Sequence, residues 1–351
     1  MELLHSSLRP VRKKAKRFFE QFEEYLKYSD SVLMTSGFIS IESLLFLYEN
    51  IDLLPQIEIV AGMHAFAGFT RSQYMGFKDL ANELITKNKG VALICKAFPF
   101  HGKVYTFWKD DKPFAGIIGS SNISCIVPTP SRVFEVDLAF EDTGLLQKTV
   151  ELQNDIKNYA SVNFLDFPEP EFIEHSVLMD NLKDVVSLSD VEIQTIWKKS
   201  TDVRFRLPLK CSDKSNLNVY FGKGRENTAT GLIKPRPWYE IEVIVPKSIT
   251  FQKGYPYLRD KFTVVTDDGY EFYVCTNGTN SKNFRSQGGL VILGTWIKGR
   301  LEEAGILKVG EFIDESMLIE YGRNYIDLIA TDNPDLWLIS FDRKGSVDEL
   351  S

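Results

Sequence analysis

The sequence predicts an α/β domain, with a mixed sheet flanked by helices, followed by a mainly-β barrel-like domain. Three observations carry that reading. Apolar strands alternate with amphipathic helical stretches as far as residue 159. The pattern breaks at 164–174, where Pro168 and Pro170 stand among acidic residues. Beyond residue 200 short strands separated by turns dominate, and helices become few. The expected division is a first domain over 1–172, a linker over 173–198 and a second domain over 199–351.

In the first domain, residues 9–28 read as an amphipathic helix, with Phe18, Phe19, Phe22, Tyr25 and Leu26 at helical spacing. A strand is expected over 31–36, a helix over 41–48 and a buried strand over 56–61 closed by Gly62. A helix over 72–87 and a strand over 91–97 follow. Three strands then come in quick succession. In 101–108, alternation puts His101, Lys103, Tyr105 and Phe107 on one face. The second, 114–118, runs into Gly119-Ser120-Ser121-Asn122. In the third, 133–140, Phe134, Val136, Leu138 and Phe140 face one way, with Glu135 and Asp137 opposite. A helix over 145–159 closes the unit.

The second domain reads as strands over 204–209, 238–245, 262–266 and 270–275, a helix over 295–303, and closing strands over 328–330 and 336–341. Asp267-Asp268-Gly269 marks a hairpin between two of them. Many short strands with few helices suit a small barrel.

The chain has 351 residues, 44% apolar and 25% charged, the balance of a water-soluble two-domain protein. No apolar run reaches the roughly 18 residues that span a bilayer. The first ten residues lack a signal-peptide core. Cys95, Cys125, Cys211 and Cys275 are scattered without a CxxC pair. That excludes a zinc ribbon or a disulfide framework and suits the cytoplasm. Net charge is −7, so any polyanion must be met locally. Residues 9–17 are basic and free of acids. Residues 203–239 hold Arg204, Arg206, Lys210, Lys214, Lys223, Arg225, Lys234 and Arg236 against Asp213 and Glu226. Residues 272–301 hold Lys282, Arg285, Lys298 and Arg300 and no acid.

The chemistry concentrates in His101-Gly102-Lys103 and the Gly-Ser-Ser-Asn turn. An imidazole can attack phosphorus directly to form a phosphohistidine. Lys103 and Asn122 can hold the non-bridging oxygens as charge builds on them, and Ser120 can add a hydrogen bond. Glu135 can fix the tautomer of His101 through its other nitrogen. No metal and no cofactor are called for. A second acid must protonate the leaving oxygen, and another histidine suits that role. The contexts of His5, His64 and His175 do not repeat the His-x-Lys set. If two sets are needed, a twofold homodimer must supply the second, with the site on its axis. His64, in Gly62-Met63-His64-Ala65-Phe66, reads as a packed loop residue, with contact to substrate as the alternative. Cys125 reads as a small core residue rather than a nucleophile.

His101, Lys103, Ser120 and Asn122 make this segment resemble the phospholipase D superfamily, whose signature is H-x-K with a downstream G-S-x-N. Members with one motif per chain dimerise to build one site. One departure is Trp108, where the family often carries an Asp. Nuclease branches tolerate it, so it counts against lipid hydrolysis more than against nuclease activity.

In the second half, the polar basic arm 216–225 and the similar stretch 280–287 offer Asn, Lys, Arg and Gln, the side chains that read base edges. The plainer alternative is two solvated loops. From about Arg204 onward the chain resembles the DNA-binding pseudobarrel of plant transcription factors and of some restriction enzymes. Leu207-Pro208-Leu209-Lys210, the Asn216-Leu217-Asn218 arm, the hairpin over 264–274, Leu293-Gly294 and the stretch 318–323 carry that likeness. The two halves together resemble the NgoFVII family of restriction endonucleases, with BfiI a more distant relative.

The resemblance implies sequence-specific cleavage of double-stranded DNA by a homodimer with two flanking DNA-reading barrels. Arg204, Lys214, Asn216, Asn218, Lys223, Arg225, Arg236, Lys282, Asn283, Arg285 and Gln287 are the implied DNA contacts. It also implies a companion methyltransferase and a separate nucleoside-triphosphate-driven translocase, since this chain has no G-x-x-x-x-G-K-[ST] loop. Two rival readings are a lipid phosphodiesterase working through the same residues and a non-catalytic DNA-binding regulator with a decayed nuclease core. No membrane-facing apolar helix supports the first, and the intact His101, Lys103, Asn122 and Glu135 oppose the second.

Overall fold

The computed structural model describes residues 1–7, 11, 15–127, 133–174, 176–180, 182–259, 261–287 and 289–343. Its contacts divide the chain into two units. The first is Met1–Ile173 with Gly224–Pro235, and the second is Glu174–Lys223 with Arg236–Ser351.

The first unit is a mixed sheet of eight strands: β1 (Glu2–His5), β2 (Ser31–Ser36), β3 (Gln56–Ala61), β4 (Gly90–Cys95), β5 (Val104–Lys109), β6 (Lys112–Gly119), β7 (Val136–Phe140) and β8 (Ser161–Asn163). Their spatial order is β1-β7-β6-β5-β2-β3-β4-β8. Strands β2, β3 and β4 are parallel, with a helical crossover after β2 and after β3, while β5, β6 and β7 form an antiparallel meander. Helices α1 (Phe18–Tyr28), α2 (Ile41–Glu49), α3 (His64–Ala67), α4 (Arg71–Thr86) and α5 (Thr143–Asp155) complete the unit.

The main core unites apolar side chains of α1, α2 and α4 with one face of the sheet. Phe18 and Phe22 of α1 pack on Tyr105 and Phe107 of β5 at ring distances of 4.9 to 5.9 Å. On the opposite face α5 inserts the buried Gln153. Its amide donates to the carbonyls of Leu33 (3.2 Å) and Val104 (3.0 Å), tying β2 to β5 from behind.

Several expectations shift. The helix foreseen over 9–28 begins at Phe18, because Arg17 is extended and caps it through Glu20; residues 9, 10 and 12–14 lie outside the described residues, as does His175. Strand β1 carries no strong sequence signal and was not foreseen. Strand β5 starts at Val104, so His101 and Lys103 precede the ladder instead of lying in it. In β7 the expected alternation holds, but the face that carries Asp137 points inward. Asp137 is 2% exposed and faces inward beside Ala139, whereas Val136 is 43% exposed. The inward carboxylate is satisfied by Ser121, whose N–H and hydroxyl donate to it at 2.9 and 2.6 Å.

The second unit opens with α6 (Ser176–Asp180), β9 (Val185–Ser187), α7 (Asp190–Trp197) and β10 (Ser200–Pro208). The segment expected as a linker thus carries structure. Trp197 is fully buried against Val265, Ile329 and Leu338, and β9 pairs with β15, named below. The hairpin of β11 (Arg225–Glu226) and β12 (Ile233–Lys234) belongs to the first unit. There Asn50 of α2 exchanges two hydrogen bonds with the Ile233 backbone at 2.7 Å each, and Leu232 joins the core.

The second unit continues with β13 (Val243–Ile244), α8 (Lys247–Thr250), β14 (Phe262–Thr266), β15 (Tyr270–Asn277), β16 (Asn283–Ser286), α9 (Ile292–Glu303), α10 (Glu315–Tyr321), β17 (Tyr325–Thr331) and β18 (Leu336–Ser340). The sheet order is β10-β17-β18-β14-β15-β16-β13, a half-barrel. Asp267-Asp268-Gly269 makes the β14–β15 turn, with Gly269 at a φ of 90° that a residue with a side chain would adopt under strain.

Candidate functional site

The strand directions gather the catalytic candidates. Thr35 of β2 lies opposite Val104 of β5, which lies opposite Ile118 of β6, while Gly119 lies opposite Asp137 of β7. One edge of the sheet therefore holds the ends of β2, β3 and β6 and the starts of β5 and β7. His101, Lys103, the Gly119–Asn122 turn and Glu135 all sit there.

His101 is exposed and Lys103 is 5% exposed. The Lys103 Nζ lies 3.2 Å from each ring nitrogen of His101 and donates to the His101 carbonyl at 2.6 Å. Burial holds the Lys103 ammonium below the usual lysine range, and the nearby Glu135 carboxylate opposes that shift. The carbonyl oxygen of Asn122 accepts from the Phe38 N–H at 3.1 Å and lies 3.2 Å from the Ser36 hydroxyl. With that oxygen occupied, the amide presents its NH2 as a donor. A methyl group placed on Gly37 would sit 3.2 Å from His101 Cδ2 and 3.3 Å from Asn122 Oδ1. The imidazole and the amide therefore converge on the space that Gly37 leaves open.

The other candidates divide. The Ser120 hydroxyl accepts from the Val136 N–H at 2.9 Å and lies 3.3 Å from the Val136 carbonyl, so it ties the turn to β7. Glu135 acts on Lys103 through charge, and no hydrogen bond to His101 is among the described contacts. Beneath the turn, the Tyr105 hydroxyl donates to the Ser121 carbonyl at 2.7 Å. Ser36 and Gly37 were not singled out in the sequence, and Ser121 and Asp137, though named there, were not foreseen as a pair. A small Ser-Gly pair at the end of the first crossover strand is a signal by which Ser36 and Gly37 could have been found.

His64 is buried and neutral. Its Nε2 accepts from the Ile39 N–H at 3.1 Å, so the proton sits on Nδ1 and is donated to the Gly68 carbonyl at 2.9 Å. Its ring stacks on Phe69 at 4.4 Å, and burial pulls its pKa down to about 4. It is packed, as the sequence suggested, but as the first residue of α3 rather than in a loop, and it holds the loop that carries Gly37 and Phe38. Burial pushes the Cys125 thiol up to about 11, away from a nucleophile's range. Among the described residues no group of three or more His, Cys, Asp or Glu is placed to hold a metal ion. None of their helices is long and apolar enough to cross a membrane.

The proposed DNA contacts also divide. Arg204, Lys214, Lys223 and Lys282 are exposed in the second unit, and Arg225 is exposed on the hairpin in the first. Asn283 and Gln287 are half-buried. Arg236 is held by Glu240 at 2.6 Å and Arg285 by Glu242 at 3.6 Å. Asn216 and Asn218 correct the expectation of a base-reading arm. Asn216 is 6% exposed; its amide NH2 lies 3.1 Å from the Ser212 hydroxyl and its side-chain oxygen accepts from the Ile244 N–H. Asn218 is fully buried and pairs with both backbone groups of Ile313 at 2.8 and 2.9 Å. These amides replace missing ladder partners in a turn that cannot pair with a strand.

Two family models match the chain. The NgoFVII restriction endonuclease N-terminal PLD domain covers residues 16–162, and the NgoFVII C-terminal B3-like DNA-binding domain covers residues 195–332. No curated protein matches. Among solved structures, the chain is similar to Nuc, a phospholipase D family member from Salmonella typhimurium, at 16% identity over 46% of this chain and 95% of that one, with a TM-score of 0.32. It is also similar to phosphatidylserine synthase from Haemophilus influenzae Rd KW20, at 13% identity over 48% and 41% of the two chains, with a TM-score of 0.33.

Two outcomes follow from this geometry. The unfolded imidazole of His64 titrates near 6.5 and the folded one near about 4, so the unfolded chain binds the extra proton between those values. The contribution of His64 is whole above pH 6.5 and is lost as pH falls toward 4. Denaturant titrations across that window should show falling stability, with a shallower slope in His64→Gln. Asn218→Ala strands two buried backbone groups and should cost about 2–3 kcal/mol, read as a lowered denaturant midpoint; a loss below about 0.5 kcal/mol would return Asn218 to the surface arm.

Proposed function

Because the chain belongs to the NgoFVII restriction endonuclease family, we propose that it cuts double-stranded DNA at defined sequences, without a metal, through a phosphohistidine on His101. The convergence of His101 and Asn122 about Gly37, with the Lys103 ammonium against the His101 ring, is the observation that carries this reading. In the first step a ring nitrogen of His101 attacks phosphorus and the P–O bond to the leaving strand breaks. The leaving oxygen takes a proton from the imidazolium of a second His101. That neutral imidazole then takes a proton from water as the water attacks the phosphohistidine, which frees His101 and releases the phosphate end. The Lys103 ammonium and the Asn122 amide NH2 stabilise the non-bridging oxygens through both steps.

The second histidine comes from a second copy of the chain across a twofold axis, since each chain carries one His-x-Lys set. A single site then cuts the two strands in turn. Lys214, Lys223, Lys282 and Arg204 supply phosphate contacts from the second unit, with Arg225 adding one from the first. A companion methyltransferase protects the host sequence, and a separate translocase subunit is a further partner.

The proposal is tested by cleavage of plasmid DNA in EDTA. The parent protein should cut at unchanged rate and run as a dimer in sizing experiments. His101→Ala should lose at least about a thousandfold in rate while keeping specific binding. Activity should fall as pH rises through the lowered Lys103 titration, at lower pH than an ordinary lysine would set. Cleavage abolished by EDTA would sink the metal-free scheme. Binding without any cleavage by the parent protein would favour a regulator. Lys282→Ala should weaken binding evenly across sequences and reduce the slope of log affinity against log salt by about one. An unchanged slope would remove Lys282 from the phosphate contacts.

A further inference from the structure

The N-terminal strand lies outside residues 16–162, the segment matched by the nuclease-domain model. It nevertheless pairs along β7, from Glu2 opposite Ala139 to His5 opposite Val136. Its end therefore arrives at the catalytic edge of the sheet, beside Glu135. Immediately beyond it, the Ser6 N–H donates to the Glu135 carbonyl at 2.9 Å, and the Glu135 N–H donates to the Ser6 hydroxyl at 3.1 Å. These are the two backbone hydrogen bonds described for Glu135, and both go to Ser6. The His5 ring stacks on Phe134 at 5.7 Å, and its Nδ1 lies 2.7 Å from the Ser6 carbonyl, so the clamp is braced on its outer side.

We propose that Ser6 is a positioning residue for the active site: by pinning Glu135 from the N-terminal strand, it sets the charge balance at the Lys103–His101 pair. The inference rests on the reading of those residues as the catalytic set. Its physical basis is a competition. Burial of Lys103 favours the neutral amine, and the Glu135 carboxylate favours the ammonium that phosphate binding needs. Cys125 and His101 are the other titratable groups facing Lys103. Glu135 is the charged one held from outside the family segment. Without the Ser6 hydroxyl, the Glu135 N–H loses its acceptor and the end of the β1–β7 ladder frays. The carboxylate then moves toward water, where its attraction for Lys103 is screened.

The test compares Ser6→Ala with Ser6→Thr, which keeps the acceptor oxygen. Amide exchange should be roughly tenfold faster at Glu135 in Ser6→Ala, with Ala139 and Phe140 unchanged. The Lys103 titration, followed by the NMR shift of its Cε, should move down by about half a pH unit. The alkaline limb of diester hydrolysis should move with it, and Ser6→Thr should restore all three. An unshifted Lys103 titration in Ser6→Ala, or an equal shift in Ser6→Thr, would overturn the proposal. The Lys103 titration is read without turnover. A parent protein that hydrolyses no diester would therefore refute the catalytic reading and leave the clamp to be decided by the NMR result.

Discussion

The direction of β5 is the constraint on which the site depends. It runs antiparallel to β2, so its first residue stands beside the last residues of β2. A parallel strand of six residues would place His101 and Lys103 at the opposite edge, about 20 Å away at 3.3 Å per residue. Two local features hold the observed direction. The β5–β6 turn is tight, with Asp110 and Asp111 both at positive φ, which makes the meander local in sequence. Gln153 and Thr35 both bond the Val104 carbonyl, so the strand is anchored at the end that follows His101 and Lys103.

The same edge buries polar groups whose cost must be offset. An unpaired buried polar group costs about 1–3 kcal/mol, so several in one loop cluster would unfold it. Each has a partner. Asp137 is satisfied by Ser121, the Tyr105 hydroxyl by the Ser121 carbonyl, and the Asn122 carbonyl by Phe38. The arrangement divides labour. Ser121 and Asp137 hold the turn from inside, Ser120 holds it to β7, and Asn122 alone presents donor hydrogens outward. Gly119 makes this possible, because a methyl group there would collide with Asp137 and with the Val136 carbonyl. In the Gly-Ser-Ser-Asn turn one residue removes bulk, two provide scaffolding and one offers an amide beside His101.

How legible this was in the sequence depended on the range of the forces involved. Alternation and turn chemistry are local, so the order of strands and helices in the first unit and the Asp-Asp-Gly hairpin were readable. The His-Gly-Lys and Gly-Ser-Ser-Asn segments announce themselves by residue type. Long-range pairing was not readable. Strand β1 has no strong pattern of its own and exists because β7 offers an open edge. The inward turn of Asp137 depends on Ser121, sixteen positions away in the chain and across a strand pair. Arg225 reads as the end of a DNA arm, yet it starts a hairpin that belongs to the first unit, where Asn50 completes it and Leu232 joins the core. Composition shows that a residue can bond to DNA, but it does not show that the bond is already spent inside the fold.

That distinction reshapes the charge argument for the second unit. Counted along the chain, its basic stretches look broad. Sorted by partner, they shrink. Arg300 is held by Asp267 and Asp268, Arg236 by Glu240, Arg285 by Glu242, and Arg323 by Asp327. Lys298 is fully buried with its ammonium on the Trp238 carbonyl, where burial pulls it down to about 7. Arginine here mostly braces the barrel, since its planar fork fits a buried carboxylate. The exposed cations are largely lysines, compact and strongly hydrated. A lysine surface holds phosphates without fixing orientation, whereas base readout needs planar donors held rigidly. The charge layout therefore leaves lysines as most of the exposed cations of the second unit. Arg285 stands between these classes: it is half-buried, and its contact to Glu242 is long at 3.6 Å.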